Sequence, residues 1–263
     1  MGMTFVLGGT GFVGSAVCRA LQKRNIPHQA INRTNYKEFL GQTCDLLVNA
    51  NGNSSKILAT RDPLADFDGS VRSVRQSLID FRFKRYIFLS SCDVYPDCSS
   101  PATTSEAQKL DIDAQSPYGF HKYLAEQTVQ HAAADWLIFR MGGFVGPGLK
   151  KNAIFDILQG TKLWLHPDSR LQFLHSDSLA SIVLDLADSS VTKMVLNACG
   201  DGTVQLRDVM EWAKTDVAVS DGAPQVRYEI AIDNLRNLVT VPKTEQTVRS
   251  FVESYLREGT GAH

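Results

Sequence analysis

Apolar residues in this chain come in short unbroken runs, separated by stretches in which they recur every three or four positions. Thr4 to Leu7 reads as a buried strand, and Phe12 to Asn25 follows with Val13, Val17 and Leu21 on one helical face. Further runs predict strands near residues 4–8, 28–32, 45–50, 85–90 and 136–140, with helices between them. A long helix is expected over Pro63 to Phe83. Another is expected over Pro117 to Ala134, where Ser116 can cap, Pro117 suits the first turn and alanines fill the body. This alternation, kept through about residue 145, predicts an α/β chain with a doubly wound parallel sheet.

After Gly146-Pro147-Gly148 the order loosens. A helix is expected near 153–159, a strand at 163–165, a helix at 178–188 returning to the main layer and a strand at 194–197. Segments 207–214, 226–232 and 244–257 read as a small mixed α/β C-terminal lobe. The expected division is 1–148 as the sheet domain and 149–263 as the lobe, with 173–198 returning to the sheet layer. The polar stretch from Pro96 to Ser116 is long for a connector and reads as the lid or wall of a site. Residues 259–263 read as a frayed tail. No internal repeat or low-complexity tract is visible.

Composition narrows the function classes. With 27 basic and 28 acidic residues the net charge is −1, so the chain has no electrostatic footprint for nucleic acid or a membrane surface. At 43% hydrophobic and 21% charged it can bury a full core. No apolar stretch approaches about 20 residues, and a strand begins almost at once, so neither a membrane span nor a signal peptide is expected. Val6 stands where a myristoylation signal wants Ser or Thr. A cytoplasmic location is expected. The five cysteines, at 18, 44, 92, 98 and 199, are scattered without C-x-x-C spacing or a histidine cluster. That pattern argues for reduced thiols and against a disulfide frame or a metal site. Cys92 adjoins Ser91 but reads as buried filler.

Two motifs carry chemistry. Gly8-Gly9-Thr10-Gly11-Phe12-Val13-Gly14 lies between the first strand and the first helix. Gly8 would turn the chain, Gly11 would let backbone approach a pyrophosphate, and Gly14 would let the helix press on the sheet with its positive end toward the phosphates. About 20 residues on, where an NAD site usually offers an acid to the ribose hydroxyl, the chain has Asn32-Arg33. Without a carboxylate nothing repels a 2′-phosphate, and a guanidinium can hold one, so NADP is favoured over NAD. A solvated Arg33 is the other reading.

The second motif is Tyr118-Gly119-Phe120-His121-Lys122. Spacing of four places Tyr118 and Lys122 on one helical face. A phenol titrates near 10, so it needs help to move protons at neutrality. An ammonium about 4 Å away, at an effective dielectric of about 20, is worth about 4 kcal/mol, or roughly three pKa units. Lys122 is therefore expected to pull the Tyr118 pKa down. His121 should point to another face, and His175 reads as a packed strand end. Ser91, just beyond the strand 85–90, lies where reactive groups of an open sheet collect and could hold the oxygen that Tyr118 protonates or deprotonates. The plainer reading is that Ser90 and Ser91 only end a strand.

On these motifs the chain resembles the extended branch of the short-chain dehydrogenase/reductase family, which contains nucleotide-sugar epimerases, dehydratases and reductases. Further blocks carry the resemblance: Asp45-Leu46-Leu47-Val48-Asn49-Ala50-Asn51-Gly52 at an implied fourth strand, Phe139-Arg140-Met141-Gly142-Gly143-Phe144-Val145-Gly146-Pro147-Gly148, and Phe173-Leu174-His175-Ser176-Asp177-Ser178-Leu179-Ala180. It implies a Rossmann domain with a substrate lobe closing over the nicotinamide end. It implies catalytic Ser91, Tyr118 and Lys122, and cofactor contacts at Gly8, Thr10, Gly11, Phe12, Val13, Asn32, Arg33, Ala50, Asn51 and Lys122. Related dehydratases and decarboxylases often carry an acid two residues past the serine. Asp93 stands there and reads either as a second proton carrier or as a solvated turn carboxylate.

Three departures bear on the substrate. Asn51-Gly52-Asn53-Ser54-Ser55-Lys56 replaces the small apolar run usual in the family and offers amides, hydroxyls and one cation. Met141-Gly142-Gly143 stands where a proline and bulkier residues are common, and 263 residues is short for the branch, which implies a trimmed or open lobe. The implied reaction is hydride transfer on a nucleotide-activated sugar through a keto intermediate, ending in epimerisation or dehydration. The alternatives are an NADPH-consuming ketoreductase of a sugar or small carbonyl compound, and a non-catalytic NADP-binding sensor. Relatives commonly form homodimers through the Tyr118 helix and its neighbour.

Overall fold

The computed structural model describes residues 2–260. The elements run β1 (Thr4–Leu7), α1 (Phe12–Lys23), β2 (His28–Ile31), β3 (Thr43–Asn49), α2 (Lys56–Arg61), α3 (Pro63–Phe67), α4 (Ser73–Asp80), β4 (Arg82–Ser91), α5 (Pro117–Ala132) and β5 (Trp136–Met141). There follow β6 (Gly143–Val145), α6 (Ala153–Leu158), β7 (Arg170–Leu171), β8 (Phe173–His175), α7 (Ser176–Ala187), β9 (Met194–Ala198), β10 (Val204–Gln205), α8 (Leu206–Ala213), α9 (Asp233–Arg236) and α10 (Thr244–Thr260). The chain forms two compact units. The first comprises Met1–Pro96, Glu106–Met141 and Leu179–Asn197; the second comprises Asp97–Ser105, Gly142–Ser178 and Ala198–His263. The boundary expected after Gly148 thus falls inside the second unit, and residues 173–178 also belong there.

In the first unit, among the described residues, six strands form one sheet in the order β2-β1-β3-β4-β5-β9. The pairs β1–β2, β1–β3, β3–β4 and β4–β5 are all parallel. The sheet is buried on both faces, as its covering helices require. Phe5, Leu7, Leu47, Phe88 and Ile138 pack with Val74 of α4 and Ala125 and Val129 of α5. Their alternates Val6, Val48, Ile87 and Leu137 are fully buried too and point the other way. Each such large side chain contributes roughly 1.5–3 kcal/mol on leaving water. Helix α1 ends because Asn25 adopts a left-handed backbone (φ 55°) while the N–H of Ile26 reaches back to the carbonyl of Leu21.

Several expectations are corrected here. The block from Asp45 to Gly52 lies at the third strand, because Tyr36–Phe39 forms only a short 3-10 turn. The long helix ends at Asp80, since Phe81 is extended (φ −117°, ψ 151°) and Phe83 already belongs to β4. That helix also carries a π segment over Asp68–Arg72. Helix α5 starts as expected, with Ser116 Oγ accepting from the N–H of Gly119, and stops at Ala132.

The second unit has its own core of Val145, Ile154, Ile157, Phe173, Val209, Val248 and Val252, drawn from β6, β8 and helices α6, α8 and α10. Its strands are two- and three-residue pairs, β6 parallel to β8 and β7 antiparallel to β10. The strand expected at 163–165 is a single bridge from Leu163 to Val219, and 226–232 contributes only a bridge from Arg227 to Arg170. In the long connector, Cys98 and Thr104 accept backbone bonds from Glu229 and Ala231 in the second unit, while Glu106 accepts from the N–H of Asn197 in the first. Of the expected frayed tail, α10 runs to Thr260 and residues 261–263 lie outside the described residues. No helix among the described residues is long and apolar enough to cross a membrane.

Candidate active site

The carboxyl ends of β1, β2 and β3 open onto a cavity of about 710 Å³ in the first unit. Gly8, Thr10 and Gly11 form one wall, Asn32, Arg33, Thr34 and Lys37 a second, and Ala50, Asn51 and Gly52 a third. The glycine turn is tight. Gly8 has φ 73°, and a Cβ on Gly14 would fall 2.1 Å from the Gly8 carbonyl oxygen, so α1 can press against the turn only while position 14 lacks a side chain. Phe12 and Val13 open the first turn of α1 and do not line the cavity. The N-cap, Gly11, supplies no side-chain bond, so the first-turn N–H groups are available to an anion.

The second wall carries two cations, Arg33 and Lys37, and no carboxylate. Lys37 was not singled out in the sequence. Asn32 serves the turn itself, its Oδ1 accepting from Thr34 N, Thr34 Oγ1 and Asn35 N. On the third wall the N–H of Asn51 donates to Asn49 Oδ1 at 2.9 Å, and buried Asn49 donates in turn to the Tyr86 hydroxyl at 2.7 Å. The glycine cradle, the uncapped helix start and the paired cations together fit a dinucleotide bearing an extra phosphate.

Ser91, Tyr118 and Lys122 come together at the end of β4 and the start of α5, and all three are buried. Gly119 makes this possible, since a Cβ there would fall 2.0 Å from the carbonyl oxygen of Asp93. The Ser91 hydroxyl is close enough to the Tyr118 phenol to lower its pKa. Ser91 Oγ also donates to Asp93 Oδ2 and accepts from the N–H of Asp93, both at 3.1 Å. Asp93, half-buried in the turn after β4, thus touches the cluster through Ser91. Its other oxygen holds Lys56 Nζ at 2.6 Å. Lys122 Nζ lies 5.7 Å from the Tyr118 ring centroid and 5.8 Å from that of Phe88.

The electrostatic expectation for this pair is overturned. Burial holds the Tyr118 phenol well above its ordinary value, the charges of Asp93 and Asp66 push the same way, and only the neighbouring Ser91 hydroxyl opposes them. Burial lowers Lys122 to about 8, against the upward pull of Asp66, Glu126 and Asp93. Helical spacing brought the two groups together, but removing both from water costs more than the more distant ammonium returns.

Beneath the cluster, Glu126 accepts from Ser90 Oγ at 2.6 Å and from Arg140 at 2.8 Å, and Arg140 also donates to the Tyr95 hydroxyl at 2.8 Å. Asp66 and His121 form a second buried pair at 2.7 Å. His121 turns to a partner that the sequence did not suggest. His175 belongs to the second unit, at the end of β8, where its Nδ1 accepts from the N–H of Asp177. Cys92 is buried with its Sγ on the Arg140 carbonyl, and no disulfide joins the five cysteines among the described residues.

A family profile described as the NAD dependent epimerase/dehydratase family matches residues 4–199. No curated protein matches the chain by sequence. Among solved structures, MoeE5 in complex with UDP-glucose and NAD is 14% identical, with a TM-score of 0.82 over 98% of this chain and 100% of that one. RMD from Pseudomonas aeruginosa complexed with NADPH is 18% identical, with a TM-score of 0.79 over 97% and 99%. The dTDP-4-dehydrorhamnose reductase from Bacillus anthracis in complex with NADP is 14% identical, again with a TM-score of 0.79 over 97% and 99%. At such identities these likenesses establish the doubly wound fold.

Proposed function

The chain belongs to the NAD dependent epimerase/dehydratase family, and from that premise we propose that it transfers a hydride at an oxygen-bearing carbon of a nucleotide-activated sugar, through a keto form, with NADP as its dinucleotide. The observation that carries this reading is the buried group of Ser91, Tyr118 and Lys122, with the ammonium 5.7 Å from the Tyr118 ring centroid, beside a cavity walled by glycines and two cations. The nicotinamide, when bound, supplies or takes the hydride. Ser91 holds the reacting oxygen, Tyr118 gives or takes its proton, and Lys122 would grip the ribose and lend positive charge to the phenol oxygen. Gly8, Thr10, Gly11 and the first turn of α1 at Phe12 and Val13 would receive the diphosphate. Asn32 shapes the turn from which Arg33 and Lys37 would hold the 2′-phosphate, and Ala50 and Asn51 would face the dinucleotide from β3.

The chemistry branches after the ketone. Asp93, bonded to Ser91, supports epimerisation or dehydration, because a second carboxylate can move a proton at the neighbouring carbon. A second reading, an NADPH-consuming ketoreductase, is supported by Arg33 and Lys37 and by the phenol staying protonated, since a neutral Tyr118 is ready to donate to a carbonyl oxygen. Denaturing the purified protein and identifying the released dinucleotide by mass separates the branches. Retained NAD favours epimerisation or dehydration; NADPH oxidised one for one with product favours the reductase. Asp93→Asn should abolish elimination or epimerisation and spare simple ketone reduction. Unchanged turnover in every assay removes Asp93 from the site.

A further inference from the structure

Asp66, from α3, is fully buried within the first unit. Its Oδ2 pairs with His121 Nδ1 at 2.7 Å, and its Oδ1 accepts from Asn53 Nδ2 at 2.8 Å and Ser70 Oγ at 3.2 Å. These partners come from three different pieces of the site. His121 precedes Lys122 on α5, Asn53 belongs to the loop after β3, and Ser70 lies in the π segment. Asn53 Nδ2 also donates to the Ser55 carbonyl and its Oδ1 accepts from the N–H of Ser55, so holding Asn53 holds the loop. That loop runs close to the lysine: a Cβ on Gly52 would lie 3.1 Å from Lys122 Nζ and 3.9 Å from Ser70 Oγ. Phe67 closes the outer side, edge-on to the His121 ring at 5.6 Å.

We propose that Asp66 is a positioning residue for Lys122: clamped by His121, Asn53 and Ser70, its carboxylate keeps the buried ammonium charged and fixes the loop wall beside it. Burying a four-carbon ammonium is unfavourable unless negative charge accompanies it. The groups around Lys122 are Asp66 from α3, Glu126 and Tyr118 from α5, Asp93 after β4, and the neutral Gly52 loop and Phe88 ring. Glu126 is committed to Arg140, and Asp93 to Lys56. Asp66 is the remaining carboxylate, and among the described residues none of its hydrogen-bond partners is a lysine or arginine. The inference rests on the proposed function only for what Lys122 does to a cofactor; the state of the lysine itself can be measured without one.

The test is the pH dependence of Lys122 acetylation by acetic anhydride, read by peptide mass spectrometry on the full chain. Wild type should show a midpoint near 8. Asp66→Asn should move it down by roughly one pH unit, the scale a single carboxylate exerts on a nearby buried group. His121→Asn, which keeps the carboxylate, should not lower it. Should Asp66→Asn fold poorly, the double substitution Asp66→Asn/His121→Asn restores an amide pair without charge and should give the same fall. An unmoved midpoint in the neutral variants, or an equal fall in His121→Asn alone, overturns the proposal. So does recovery of folded protein only from Asp66→Glu, because the charge then serves the fold and not the lysine. NADPH binding by the wild type is measured alongside: its absence would remove the proposed function yet leave the acetylation result standing.

Discussion

The cavity at the ends of β1 to β3 and the cluster between β4 and α5 belong to the same unit but are built in opposite ways. The cavity is backbone: a glycine turn, the uncapped start of α1, and strand ends held by Asn49, with Arg33 and Lys37 added at the rim. The cluster is side chains, and buried ones: Ser91, Tyr118 and Lys122 in front, with Asp66–His121 and Glu126–Arg140 behind. A backbone site costs little to keep and is hard to adjust, since its donors carry only partial charge. The cluster keeps charged groups out of water, so its behaviour depends on which charge sits beside which and on pH.

That contrast predicts where substitutions act. Tyr118→Phe removes the proton carrier and should cut turnover by about 10²–10⁴-fold, while NADPH affinity, measured by fluorescence, stays close to wild type. Lys122→Met should abolish turnover but stabilise the fold. The lysine titrates at about 8 when folded against an ordinary value of about 10.4, so below pH 8 the unfolded chain holds the proton more tightly and folding bears the difference. The variant should gain roughly 3 kcal/mol in denaturant unfolding at pH 7. The gain should fade as pH rises from 8 toward 10, where the wild-type lysine loses its proton in both states. A loss of stability at pH 7 would show that Lys122 is better compensated than its burial suggests.

The backbone site responds differently. Gly14→Ala drives a methyl into the Gly8 carbonyl, which should cost about 1–3 kcal/mol of stability and weaken NADPH and NADH together. Arg33→Ala should have the smallest effect, about tenfold on NADPH binding and little on NADH, shrinking as salt is raised. Equal weakening of both dinucleotides would mean that Arg33 does not meet the 2′-phosphate.

How much of this was legible in the sequence divides along the same line. The strands of the first unit announced themselves as apolar runs punctuated by glycines, and the Gly8 to Gly14 turn by its place between strand and helix. Ser91, Tyr118 and Lys122 could be grouped by a strand end and a helical repeat. The sign of the Tyr118 shift could not, because spacing conveys proximity and says nothing of desolvation. Asp66 and His121 are 55 residues apart, and neither lies in a pattern that would link them. In the second unit the strands are two or three residues long, too short for any periodicity to register, so 163–165 looked like a strand while β6, β7 and β10 went unseen.

The central claim is that a phenol between Ser91 and Lys122 moves the proton that accompanies a hydride. The direct measurement mixes the protein and its dinucleotide with nucleotide sugars and their keto forms while following the reduced-nicotinamide absorbance, in wild type and in Tyr118→Phe. The account predicts, with at least one sugar, either a net change in that band or an epimerised or dehydrated product formed with the band unchanged, and both are lost in Tyr118→Phe although the dinucleotide still binds. Turnover that persists without the Tyr118 hydroxyl, or a wild type that binds dinucleotide and neither alters the band nor converts any sugar, would contradict it.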